Sequence, residues 1–129
     1  MGLDMNLYPV YKNGKRGDDQ DNYSVYWRKA NAIFGWFERN LKSADGNIEN
    51  CTDYEVTRNE LEALVEQCRN VLRNGEAYAK RKMPTRKGFF FGSTEYDDSY
   101  YLDITQTIAA ISYMLSNEEV VGAIFHAWW

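Results

Sequence analysis

Carboxylates crowd one short stretch of the chain: Glu95, Asp97, Asp98 and Asp103. Paired acids do acid–base work when their surroundings split their pKa values. Near a helix N-terminus, however, acids usually serve the helix dipole. Asp97 or Asp98 stands where a helix cap is expected, so the dipole role is favoured. His126, the sole histidine, has no Ser, Cys or Asp beside it in sequence. Nothing resembles a nucleophile elbow or a Cys–His pair. Cys51 and Cys68 lack C-x-x-C spacing, and zinc needs about four ligands. No metal, cofactor or catalytic constellation is therefore expected. A Cys51–Cys68 disulfide is allowed but not demanded.

A second candidate is the stretch Lys80–Thr94. Lys80, Arg81, Lys82, Arg86 and Lys87 precede Phe89, Phe90 and Phe91, which Gly88 and Gly92 flank. Backbone N–H groups at the glycines, with Lys87, Ser93 and Thr94, could hold a phosphate or carboxylate. The G-K-[ST] order of a Walker A loop is missing. The plainer expectation is a solvated basic loop, a buried Phe strand or packed turn, and an N-cap. A third candidate is Arg28, Lys29 and Asn31 near a helix start. Arg28 and Asn31 are three apart and would share a helical face. They could read a ligand or pair with a carboxylate such as Asp97. The plainer expectation is a structural ion pair or hydrogen bond.

These side chains need a frame. The 129 residues fit a single domain spanning 1–129. Such a chain buries enough surface for a core without staples. Aromatics reach 16 %, with ten Tyr and four Trp; these suit both small cores and contact surfaces. A net charge of −4 disfavours a general nucleic-acid coat, leaving only a local basic patch at Lys80–Lys87 for such contact. No N-terminal signal is evident, and no stretch approaches the ~20 apolar residues of a membrane helix. The expected location is the cytoplasm, with no membrane partner.

Alternation in Leu3–Val10 predicts a strand with Leu3, Met5 and Leu7 on one side. Pro9 should end it or lie at an edge. Tyr11–Asn22 reads as an exposed loop or long hairpin. Trp27, Ala30, Phe34, Phe37 and Leu41 recur every three or four residues, predicting a helix over Tyr26–Leu41 with Ser24 as its cap. Gly35 inside it costs about 1 kcal/mol against Ala, so something should approach closely there. Tyr54–Val56 reads as a short strand. Thr57 and Glu60 form a capping box that opens a second helix, and Asn74-Gly75 stops it. Pro84 discourages a helix through the basic stretch. A third helix should run to about Leu115, with Tyr101, Ile104, Ile108, Ile111 and Leu115 inward. Val120–Trp129 fits either a helix, since Ser116 and Glu119 have capping-box spacing, or a strand; the strand, paired with Leu3–Val10, is preferred. The fold class is α+β: about three helices packed with a small antiparallel sheet from the N-terminal strand and, on this preference, the tail.

Three stretches share a likeness. Met1-Gly2-Leu3-Asp4-Met5-Asn6-Leu7, Tyr26-Trp27-Arg28-Lys29-Ala30-Asn31-Ala32-Ile33 and Phe89-Phe90-Phe91-Gly92-Ser93-Thr94-Glu95-Tyr96-Asp97 resemble a family of small phage- and prophage-encoded proteins. That family typically begins MGLDMYL, carries YWRKANAIH-WF, and has FFFGST-YD before its last helix. Asn6 stands here where Tyr is usual, and Phe34 where His is usual, which weakens any catalytic role at position 34. The resemblance implies an origin and no activity. The candidate surface comprises Arg28, Lys29, Asn31, Lys87, Ser93, Thr94, Tyr96 and Asp97. The expected function is a phage accessory protein that binds a host or defence-system protein, for example as an anti-CRISPR or other anti-defence inhibitor. The alternative is a binder of a small anion or nucleotide. A hydrolase built on Asp97 is the third and weakest reading.

Overall fold

The computed structural model describes residues 2–129. Four strands form one antiparallel sheet: β1 (Asp4–Tyr11), β2 (Val25–Arg28), β3 (Thr52–Thr57) and β4 (Val120–Trp128), in the order β2-β1-β4-β3. Four α-helices accompany it: α1 (Asn31–Asn40), α2 (Arg58–Asn74), α3 (Glu76–Lys82) and α4 (Asp98–Leu115). The class is α+β, with one helix more than the periodicity predicts. No helix among the described residues is long and apolar enough to cross a membrane.

The tail is a strand. Its alternation places Ala123, Phe125 and Ala127 inward, against Leu7 and Met5 of β1. The capping-box alternative fails because Glu119 donates its N–H to Asn117 Oδ1 in a turn. Leu3, Met5 and Leu7 are fully buried, as their period requires. Strand β1 does not stop at Pro9; it runs on to Tyr11 along β4. Pro9 is tolerated because β2 pairs only as far as Leu7, so no ladder N–H is missed at Pro9.

The main correction concerns Tyr26–Leu41. Residues Val25–Arg28 are a strand, and the helix starts only at Asn31. Val25 and Trp27 face inward, whereas Tyr26 and Arg28 face outward. The corner is Lys29, at φ 56°, whose N–H donates to Leu3 C=O at 2.6 Å. Trp27 and Phe37 do meet in the core, edge to face at 6.0 Å. Their spacing fits a helix, but a strand and a helix joined by a corner bury both equally well. Ser24 is consequently no cap; its hydroxyl donates to Asp18 C=O. At Gly35 the close neighbours are the Arg39 guanidinium and the Arg86 stem: an added Cβ would lie 3.0 Å from Arg39 Nη1 and 3.3 Å from the Arg86 Cβ.

Helix α2 behaves as read. Thr57 and Glu60 form the reciprocal box, with Glu60 N–H to Thr57 Oγ1 at 3.1 Å and Thr57 N–H to Glu60 Oε1 at 2.9 Å. Gly75, at φ 81°, ends the helix. The basic stretch then makes α3, which stops before Pro84. Asp97 caps α4 by accepting the Tyr100 N–H at 3.1 Å. Cys51 is exposed, Cys68 is buried, and the two are not bonded.

The inner face of α4 differs in one instructive way from the predicted stripe. It buries Tyr100, Ile104, Thr107, Ile111 and Met114, with Tyr101, Ile108 and Leu115 at its margin. Polar Thr107 is admitted because its hydroxyl accepts from Trp27 Nε1 at 2.9 Å and donates to Asp103 C=O at 2.6 Å. Thr107→Val keeps the shape and orphans the indole N–H. Urea unfolding should show it about 1–3 kcal/mol less stable; a variant as stable as the parent would show that this bond contributes nothing.

Candidate functional site

Five of the eight candidate residues line one cleft. Arg28 comes from the end of β2, Lys29 from the corner after it, Asn31 from the first turn of α1, Ser93 from the loop before α4, and Asp97 from the α4 cap. The cleft holds about 320 Å³. Lys87, Thr94 and Tyr96 do not line it. Lys87 sits on the Phe loop with Gly88, Phe89 and Phe90. The Thr94 carbonyl accepts from Thr85 Oγ1, and Tyr96 Oη accepts the Thr85 N–H while its ring lies against Tyr100 and under Lys80.

Asn31 is the keystone of the cleft floor. It is buried, and its Nδ2 donates to Phe91 C=O at 3.0 Å and to Ser93 C=O at 2.8 Å. Its Oδ1 accepts the Arg86 N–H at 2.9 Å. One amide therefore fixes both ends of the loop from Arg86 to Ser93. Arg86 adds a two-pronged pair to Glu38, at 3.0 and 2.9 Å, and lies over the rings of Phe34 and Phe91 at 5.2 Å each. Phe34, at the position where the resembling family has His, is fully buried among rings.

Arg28 pairs with Asp4 across the strands at 3.0 Å, since Asp4 and Arg28 are register partners. Arg28 thus serves a structural ion pair, and its partner is Asp4. Arg28 and Asn31 do not share a helical face, because the Lys29 corner lies between them. Ser93 is locally engaged: its Oγ accepts the Glu95 N–H at 3.0 Å.

The charges in the cleft are mixed. Arg28 and Lys29 face Glu95, Asp97 and Asp103. Burial, helped by Asp97 nearby, pushes the Asp103 carboxyl up to about 6. Asp103 thus holds its proton closer to neutrality than an ordinary acid. The arrangement can offer a carboxylic acid donor beside two cations, but the described residues present no nucleophile hydrogen-bonded to a base there. Nor do they present a group of three or more His, Cys, Asp or Glu able to hold a metal.

Two features escaped sequence reading. The Phe run is not buried as a unit: Phe91 is inside, whereas Phe89 is 84 % and Phe90 48 % exposed. His126 also has an acid partner, Asp53 Oδ1 at 2.8 Å, supplied across the sheet by the β3–β4 register. No sequence signal pairs them, because register is a tertiary property. Comparison with known proteins finds no matching family model, curated protein or solved structure.

Proposed function

We propose that this chain is a phage accessory protein that works by binding a host or bacterial defence protein, with inhibition of that protein as the outcome. The phage and anti-defence elements of this proposal rest on the likeness of the three sequence motifs. The binding element rests on one observation, the Phe89–Phe90 tip. Two large rings stand in solvent, 5.6 Å apart and edge to face. Their loop is fixed: Leu3 N–H donates to Phe90 C=O at 3.0 Å, and Phe91 N–H to Gly88 C=O at 3.2 Å. Phe91 anchors it against Phe34 and Trp129. Phe90 sits at φ 62°, a conformation that costs a bulky residue free energy.

Rings carried on a fixed backbone spare the cost of ordering the loop on binding, and each contributes about 1.5–3 kcal/mol when covered. Such anchors dominate protein interfaces. The cleft supports an anionic ligand less well. Its carboxylates offset Arg28 and Lys29, and Lys87 lies elsewhere.

The test is capture from infected cells with the parent and with Phe89→Ser/Phe90→Ser. Recovery of a single stoichiometric protein with the parent is expected, weakened roughly 100-fold in the double variant. Equal recovery by both would remove the tip from the interface. Equal plating of a susceptible phage with and without the chain would remove the anti-defence element.

A further inference from the structure

The face of the sheet turned away from the helices carries a second recess. Tyr26 of β2 stands opposite Asn6 of β1 and Trp128 of β4 opposite Asp4, two residues along, so the two aromatic residues lie diagonally across β1 and line the recess with Asn6. Asp19, from the loop after β1, closes one end. The recess holds about 330 Å³. Two strand spacings, about 10 Å, together with this two-residue offset separate the two backbones and leave room for one flat group between the aromatic side chains.

The charges of this face are unbalanced. Asp4 is paired with Arg28 and Asp53 with Arg16, and Asp53 also shares a hydrogen bond with His126. Asp19 accepts the Tyr8 hydroxyl at 2.6 Å, but no Lys or Arg of the described residues lies within ion-pairing distance of it. Tyr26, 56 % exposed, is braced by its hydroxyl on Asp4. Trp128 is steadied beside His126, ring centres 5.7 Å apart. The recess therefore combines braced aromatic faces, an unpaired carboxylate and an amide oxygen.

We propose that the Tyr26–Trp128 recess receives an arginine side chain of a protein partner. A guanidinium is planar and weakly hydrated, stacks on aromatic faces, and forks onto a carboxylate. Asp19 supplies the carboxylate and Asn6 a further acceptor. Lysine presents a compact, strongly hydrated charge and uses flat walls less well. The inference deepens the protein-binding proposal and rests on it, but its site is the sheet face and not the Phe89–Phe90 tip.

The probe is acetyl-Gly-Arg-Gly-amide, titrated into the ¹⁵N-labelled chain and read at the Trp128 indole and the Tyr26 amide. A saturable shift is expected with Kd on the order of 1–10 mM, the range for a single weak anchor. The citrulline peptide, equal in shape but uncharged, should bind at least about threefold more weakly, as should Asp19→Asn tested with the arginine peptide. No saturable shift, an equal response to citrulline, or tighter binding of the lysine peptide would overturn the proposal. These titrations use no cell partner and leave the tip untouched. Their failure is thus distinct from the failure of the Phe89→Ser/Phe90→Ser capture.

Discussion

Asn31→Ala should be the most damaging single substitution on the cleft. Truncation orphans two carbonyls and one N–H at once, those of Phe91, Ser93 and Arg86. Each such group costs about 1–3 kcal/mol when it stays buried. Water will reach Ser93 and Arg86, so the expected loss is about 2–5 kcal/mol, among the larger effects of point substitutions. Asn31→Asp separates the roles. It keeps the acceptor for Arg86 and loses both donors, and should unfold almost as readily. Urea denaturation reads the loss, and hydrogen exchange at Arg86 and Phe91 reads its place. A variant losing under about 1 kcal/mol would show that the Phe loop holds itself.

A second effect is one of pH. Asp103 rises from its ordinary value near 3.8 to about 6, first through burial and then through Asp97. Its folded pKa lies above its unfolded one. Between about pH 4 and 6 the folded state therefore binds more protons, and stability falls as pH rises through that window. Above it the loss is constant. The full shift would correspond to roughly 3 kcal/mol, but the group is only partly buried, and solvent screening leaves about 1 kcal/mol. Asp103→Asn should accordingly be about 1 kcal/mol more stable than the parent at pH 8 and equal to it at pH 4. The difference between the two proteins isolates this group from the other carboxylates. A pH-independent difference would mean that Asp103 titrates normally. A neutral Asn can also keep a hydrogen bond that the acid donates, so this substitution probes the charge with little change in shape.

The legible parts of the fold were those in which local chemistry and tertiary packing agree. The Thr57–Glu60 box, the Gly75 stop, the Asp97 cap and the alternation of β1 each satisfy backbone groups nearby, so the residues themselves reveal them. The Val25–Arg28 strand was hidden because Trp27 is buried whether its segment coils or extends. Only the Lys29 corner separates the two cases, and a lysine does not announce a positive φ. The cleft was half legible. Arg28, Lys29, Asn31, Ser93 and Asp97 line it together, yet Asn31 turns out to be a brace and Arg28 a cross-strand pair. Exposure of Phe89 and Phe90 beside buried Phe91 could not be read from composition, because three identical residues met three different environments.

The middle of the sheet has a consequence for how the chain is made. Strands β1 and β4, at opposite ends of the sequence, are direct neighbours through the register Asp4↔Trp128 to Tyr11↔Val120. Every other strand borders this pair. While the chain is still on the ribosome, β1 has only β2 to pair with, and β3 has no partner at all. Two-stranded hairpins are marginal in water, and pairing between distant segments is slow because the loop must close first. The sheet can therefore assemble only after Val120–Trp128 has left the exit tunnel. Until then, Leu3, Met5, Leu7 and the aromatic stripe of α1 remain open to chaperones and proteases.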